Sequence, residues 1–377
     1  MIEAAANATA ASPMQSTHFY LSESTDYPRF ADTMDKYGYD WEAYKVHTED
    51  HYILTTFRVL GKTGEPRPAD SKGSVLLQHG DMEDGARWVS NMDGKPFHLL
   101  LVDEGYDVWI GSNRGTEYSW DHETLSSKDD PAYWNWTWGD MGMYDDVANI
   151  KTMQNVTGEE KVFYVGYSQG NVQMTYALTH LEDSFFADAL YKYVALGPCF
   201  VSWDPRSPEE YAEEMQLFVD NKIYAINGPN WDQDLQTICD NFPKRYCKKY
   251  TDYTGYPGQG VKSESYWNQI NTAYRFQEYS EEWLEGVYET ELLHIENIKK
   301  VPIAFFAATE DMTCPYDTAL EYIPKFNTET VRIDVEGYDH SYFYLYANDK
   351  WFMEQLTAQL QKPDSANSTS DWAVFLE

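Results

Sequence analysis

The sequence predicts an α/β protein: a mainly parallel sheet flanked by helices on both faces, interrupted by a helical insertion. Two observations carry this. Short runs that are apolar at almost every position, such as SVLLQ (74–78), VFYV (162–165) and IAFFAA (303–308), alternate with segments of helical spacing. Strands that lack polar alternation are buried on both faces, as parallel strands between two helix layers are. Residues 200–295 then break that rhythm, being acidic, aromatic and helix-prone with no clear strand, and read as a cap. A chain of 377 residues suits one large α/β domain with an insertion.

The elements follow in order. Residues 1–36 begin rich in Ala, Ser and Thr and read as an N-terminal arm. YKVHTEDHYILTTFRVL (Tyr44–Leu60) reads as two strands of β-branched and aromatic residues about a tight Glu49-Asp50 turn. Residues 61–73 are a polar loop, and GSVLLQHG (73–80) is an apolar strand ending in a glycine turn. Tyr106–Ile110 repeats that pattern. Between Asp140 and Asn155, Met143, Val147, Ile150 and Met153 recur every three or four residues, which predicts a helix stopped by Gly158. KVFYVG (161–166) is the next strand and Ser168–Leu181 the helix after it. ALYKYVALG (189–197), VPIAFFAA (301–308) and ETVRIDVEG (329–337) are further strands, and Trp351–Leu360 the last helix. The core thus occupies 37–199 and 296–361, the cap 200–295, and a polar tail 362–377.

Composition narrows the function. The net charge of -34 repels phosphate backbones, which argues against nucleic acid as a partner. That charge fits either work in acid, where carboxylates are neutral, or a solvated surface tuned for solubility. Aromatic residues make up 16% of the chain, too many for a disordered one. No apolar run is long enough to span a bilayer. The four cysteines, Cys199, Cys239, Cys247 and Cys314, form no CxxC pair, so no metal or redox site is expected. Cys239 and Cys247 lie close enough in sequence to close a small loop, depending on the compartment. Sequons at Asn7, Asn135, Asn155 and Asn367 support a secretory route weakly. The opening MIEAAANATAASP shows neither a basic n-region nor an apolar h-region, which leaves lumenal and cytoplasmic settings both open.

The chemistry concentrates at Gly166-Tyr167-Ser168-Gln169-Gly170, where a strand gives way to a helix. In such a G-x-S-x-G turn the serine backbone is strained and its hydroxyl stands clear of the sheet. Glycines on either side remove the Cβ atoms that would crowd the strand–helix crossing. The helix N-terminus then points its free N–H groups and positive dipole at the reaction centre.

A serine needs a base. After Ser168 the histidines are His180, His294 and His340. His180 lies down the same helix, ~18 Å away at the helical rise. His294 falls in the cap. His340, in EGYDHSYF, follows the last strand and is the expected base. The orienting acid should follow VPIAFFAA; Asp311 is the choice, with Glu310 the rival. Asp317 reads as a helix-start cap, and Asp339 is too close in sequence to His340 to face it. The oxyanion donors are the backbone N–H of Gln169 and that of Asp81, in the turn after LLQHG. His79 in that turn more naturally shapes it by hydrogen bonds. The alternating Trp134, Trp136 and Trp138 should pack the body. Trp203, Trp231, Trp267 and Trp283 either line an acyl-chain tunnel or touch lipid, or form the cap's core.

LLQHG, GYDVWIGSNRGTEYS, YWNWTWGDMGMYD, FYVGYSQG, ATEDMTCPYDTA and GYDHSYF resemble the acid lipases, the gastric and lysosomal enzymes and their relatives. VHTEDHYILTTFRV resembles that family's opening hairpin, and the likeness runs from Tyr37 to Gln361 except inside the cap. It implies an α/β-hydrolase fold with a helical cap and mobile lid, hydrolysis of acylglycerols or sterol esters, and a secreted or lysosomal setting. It places the triad on Ser168, Asp311 and His340, and a cap disulfide on Cys239 and Cys247. No cofactor is implied; the expected partner is a lipid or ester, met in solution or at a lipid–water interface. A departure is HGDM, which puts Asp81 where the family is usually apolar. A carboxylate near a developing oxyanion opposes catalysis unless it is protonated or turned away. The rival readings are a catalytically silent binding subunit and a short-chain carboxylesterase or thioesterase.

Overall fold

A computed structural model describes residues 19–65, 70–88, 94–202 and 206–363. In chain order its strands are β1 (Phe19–Ser22), β2 (Tyr39–His47), β3 (Tyr52–Lys62), β4 (Ser74–Gln78), β5 (Asp107–Ser112), β6 (Asp121–His122), β7 (Val162–Tyr167), β8 (Leu190–Leu196), β9 (Ala225–Ile226), β10 (Gln259–Gly260), β11 (Ile303–Ala308) and β12 (Thr330–Val335). The main sheet runs β1-β2-β3-β5-β4-β7-β8-β11-β12, with β6 on β3. From β5 through β4, β7, β8 and β11 to β12 every pairing is parallel, while β1, β2 and β3 form an antiparallel wing.

The apolar strands are buried on both faces for a simple reason of pleat. Val75, Leu77, Val108, Ile110, Phe163 and Val165 point into one hydrophobic layer. Their neighbours Leu76, Trp109, Tyr164 and Val162 point into the other. Side chains alternate across a strand, so a central strand needs apolar residues at successive positions.

The segment expected as an arm is structured from Phe19 onward. β1 pairs with β2, and a helix, Pro28–Tyr37, buries Phe30 and Met34 against the sheet, Phe30 stacking on Phe57 at 3.9 Å. Two apolar residues one turn apart gave too short a pattern to read. Pro28 at the helix start and a left-handed Gly38 at its end frame the helix. The helical stretch expected over 140–155 begins with a capping box at Thr137 and Asp140, contains a π-helical turn at Met141–Asp146, and ends at Gly158.

The cap is mostly helical: Pro208–Asp220, Trp231–Asn241, Lys244–Asp252 and Val261–Ala273. It has a core of its own, with Met215, Phe218, Trp231, Ile238, Phe242 and Tyr250. It also holds the two-residue pair β9 and β10, too short to leave a period in the sequence. A disulfide joins Cys239 to Cys247 across two cap helices, with Cα atoms 4.5 Å apart. At the seam between cap and body Trp134, Trp136 and Trp138 are buried, and Trp138 stacks on Tyr266 at 3.9 Å. Trp203 lies outside the described residues, as do Asn7 and Asn367. Among the described residues no helix is long and apolar enough to cross a membrane.

Candidate active site

Register brings five strand ends to one edge. Gln78 of β4 pairs with Gly166 of β7, Gly166 with Ala195 of β8, Leu196 with Phe306 of β11, and Ala308 with Val335 of β12. The loops that leave these ends carry Asp81, Ser168, Cys199, Asp311 and His340. In open α/β sheets the crevice beyond the carboxyl ends of the strands is where ligands bind.

Ser168 has φ 53° and ψ -115°, a conformation that costs a non-glycine residue of order 1–3 kcal/mol. The flanking glycines explain how the turn closes. A Cβ on Gly166 would stand 2.6 Å from the carbonyl oxygen of Gly170, and one on Gly170 would stand 2.5 Å from that of Gln78. The hydroxyl of Tyr164 donates to the Gly170 carbonyl at 2.8 Å and fixes the crossing. Ser168 itself is buried, with 8% exposure.

His340 Nδ1 lies 2.6 Å from Asp311 Oδ2. The other Asp311 oxygen accepts the N–H groups of Thr313 at 2.9 Å and Cys314 at 2.8 Å, so the carboxylate is aimed by its own loop. The Tyr167 ring lies 4.9 Å from the imidazole, and its hydroxyl donates to the His340 carbonyl at 3.1 Å. The rival acids are elsewhere. Glu310 and Asp317 are exposed, and Asp339 is exposed and bonded to Ser341. Of the other histidines, His180 pairs with Glu278 at 3.3 Å and His294 is exposed beside Glu296. His79 is buried; its Nδ1 donates to the Gly80 carbonyl at 2.8 Å, and its Nε2 accepts the Asn113 N–H at 3.0 Å. Burial pushes its pKa down, which keeps this turn-shaping ring neutral.

Between these groups lies a feature the sequence concealed. Cys199 and Cys314, 115 residues apart, form a disulfide. Ser168 Oγ lies 3.8 Å from Cys199 Sγ, and His340 Nε2 lies 3.8 Å from Cys314 Sγ. The hydroxyl and the imidazole thus each face one sulfur of the same bridge, and no direct Ser168–His340 hydrogen bond is among the contacts of the described residues. A CxxC motif marks only cysteines close in sequence, whereas here the ends of β8 and β11 bring two distant ones together.

The opposite wall comes from the cap. Gln169 opens the helix Gln169–Leu181, and a first helical residue has no carbonyl four residues back for its N–H. Its side-chain Oε1 accepts from Trp267 Nε1 at 2.9 Å and from Gln259 Nε2 at 2.9 Å. Gln259 Nε2 also donates to Asp81 Oδ1. So one cap amide ties together both residues expected to supply oxyanion donors. Burial and the neighbouring Glu264 carboxyl push the pKa of Asp81 well above the usual carboxylate range. Burial likewise raises that of Glu264. The Trp267 ring packs against the hydrophobic layer beside Trp138, and its Nε1 also anchors Gln169. Trp231 sits in the cap core, and Trp283 lines an apolar cap cavity of about 430 Å³ with Trp134, Met215 and Val261. Ser168 is not among that cavity's walls.

Comparison with known proteins agrees with this architecture. A family model described as "alpha/beta hydrolase fold" matches residues 73–344, and a "Partial alpha/beta-hydrolase lipase region" matches residues 30–92. "Lipase member K" of Mus musculus is 26% identical over 366 residues, covering 86% of this chain and 90% of that protein. "Lysosomal acid lipase/cholesteryl ester hydrolase" of Homo sapiens is 36% identical over 162 residues, covering 43% of this chain and 40% of that protein. The crystal structure of the alpha/beta hydrolase GrgF from Penicillium sp. sh18 superposes with a TM-score of 0.51 at 10% identity, over 85% of this chain and 98% of that one, a likeness of fold alone. The chain belongs to the alpha/beta hydrolase fold family. Within it, the chain is a lipase-type ester hydrolase.

Proposed function

We propose that the enzyme cleaves acylglycerols or sterol esters through Ser168, His340 and Asp311, by way of an acyl-enzyme. The observation that carries this is the 2.6 Å contact of His340 Nδ1 with Asp311 Oδ2, on the loop edge where Ser168 stands in a strained turn. Nδ1 keeps its proton in that bond, which leaves Nε2 free to act as a base. His340 Nε2 takes the proton of Ser168 as Oγ attacks the ester carbonyl. The backbone N–H groups of Gln169 and Asp81 hold the oxyanion. His340 then gives its proton to the departing alcohol. A water, deprotonated by His340, releases the acid and restores Ser168.

Catalytic hydrogen bonds often lengthen in the resting enzyme and close in the substrate complex. Attack requires His340 Nε2, now 3.8 Å from Cys314 Sγ, to come within hydrogen-bonding reach of Ser168 Oγ, which lies 3.8 Å from Cys199 Sγ. The likeness to lysosomal and lipase relatives supports a secreted or lysosomal lumen as the setting, with a lipid or ester substrate. Two disulfides in the chain accord with such an oxidising compartment.

The test is hydrolysis of an ester series, from short soluble to long emulsified chains, across acid to neutral pH, beside Ser168→Ala. Turnover on long acyl chains that vanishes in the variant is expected. Turnover confined to short esters would move the reading to a carboxylesterase, and turnover unchanged by the substitution would remove Ser168 from the chemistry.

A further inference from the structure

We propose that Cys199, Cys314 and His340 form a latent site inside the active centre for a tetrahedral metal ion such as Zn²⁺, opened when the disulfide is reduced. The sulfurs of Cys199 and Cys314 and a ring nitrogen of His340 all lie within 4.8 Å of one another. Two thiolates and one imidazole are a donor set for a tetrahedral metal with one open position.

Geometry and chemistry agree at each ligand. Zn–S bonds of about 2.3 Å in a tetrahedron place two sulfurs roughly 3.8 Å apart. That is also close to the contact distance of two sulfurs no longer bonded, so cleaving the bridge opens the pair to the spacing a metal needs. His340 Nε2 is 3.8 Å from Cys314 Sγ, near the corresponding S–N edge. Ser168 Oγ, 3.8 Å from Cys199 Sγ, stands beside the fourth position, which it or a water fills. The outer shell is also in place. Metal-bound histidines commonly donate their other N–H to a carboxylate, which fixes the tautomer. The 2.6 Å contact of His340 Nδ1 with Asp311 Oδ2 does this here. An arrangement that prepares Nε2 to be a base prepares it equally to be a ligand.

The redox step balances simply. An added reductant supplies two electrons: a dithiol becomes a disulfide and gives up its two protons, or a phosphine becomes a phosphine oxide, with water supplying the oxygen and the two protons. The Cys199–Cys314 bond breaks and, with two protons, gives two thiols. Zn²⁺ then displaces both thiol protons and forms two Zn–S bonds and one Zn–N bond. The last of these uses the Nε2 lone pair. The metal site stands on the cluster geometry alone; its effect on turnover rests on the proposed role of His340.

The experiment uses the full chain, reduced with a phosphine that is then removed without air, and titrated with Co²⁺. A Cys239→Ser/Cys247→Ser variant, treated in the same way, confines the thiols to the pair in question. The expected result is stoichiometric cobalt binding with thiolate charge-transfer and tetrahedral ligand-field bands. These should be absent in the oxidised protein, lost in Cys199→Ser/Cys314→Ser, and altered in His340→Asn. Bound Zn²⁺ should lower ester hydrolysis by at least ~10²-fold, the usual worth of a general base, and a chelator should restore it. A reduced protein that unfolds, that binds no cobalt, or whose cobalt spectrum is the same in the cysteine variant overturns the proposal. Cobalt bound with these bands and no loss of hydrolysis would leave the metal site standing and remove His340 from the proposed mechanism.

Discussion

Ser168 has two walls, and each presents a carboxyl group in a different company. On the body side Asp311 faces an imidazole and receives two backbone N–H groups from its own loop. On the cap side Asp81 faces another acid, Glu264, and receives a single cap amide, Gln259. The first arrangement fixes the orientation of the carboxyl group. The second drives the proton onto the acid. One edge of one sheet therefore holds an acid bonded to an imidazole and two backbone N–H groups, and an acid pushed toward neutrality. Under the proposed mechanism both serve the same chemistry, since a charge behind His340 stabilises the imidazolium while a charge beside the oxyanion would oppose it.

The contrast is broken most severely at its centre. Ser168→Ala should reduce kcat by about 10⁶-fold with the fold unchanged, as read by turnover and circular dichroism. Next is the body wall. Asp311→Asn should reduce kcat by about 10⁴-fold, because the amide favours the wrong histidine tautomer. A loss shared between KM and protein yield would instead make Asp311 a structural residue.

The cap wall should respond in the opposite sense. Asp81 and Glu264 are both raised above their ordinary values of 3.8 and 4.5. A folded state that binds a proton more tightly than the unfolded chain is stabilised by it. That contribution is complete below the ordinary values and disappears as pH rises through the raised ones. Asp81→Asn should therefore flatten the fall of Tm with rising pH, and should preserve hydrolysis on the high-pH side, where ionised Asp81 would oppose the oxyanion. A variant with the wild-type pH profiles would show that Asp81 does not titrate in this range. The smallest effect belongs to Trp267→Phe, which removes one of two donors on the Gln169 amide while keeping the ring. A loss of roughly fivefold in kcat, about 1 kcal/mol, is expected, with little change in Tm.

Much of this was legible in the chain because each signal was local. Continuous apolar runs marked β4, β7, β8 and β11, and the two glycines about Ser168 marked the turn. His340 and Asp311 followed from chain order, each lying just past a strand. What stayed hidden depended on contacts between distant segments. Cys199 and Cys314 meet only because β8 and β11 are neighbours. Gln259 and Trp267 reach Gln169 only because the cap folds over it, and neither carries a motif. The N-terminal helix escaped notice because Phe30 and Met34 alone make its buried face.

The central claim is that Ser168 is activated by a histidine that Asp311 holds. Labelling with a fluorophosphonate, followed by peptide mapping and rate measurement, tests it most directly. A single adduct on Ser168, formed far more slowly in Asp311→Asn, is the predicted result. Folded protein that takes no label, or takes it equally fast without the Asp311 carboxylate, would contradict it.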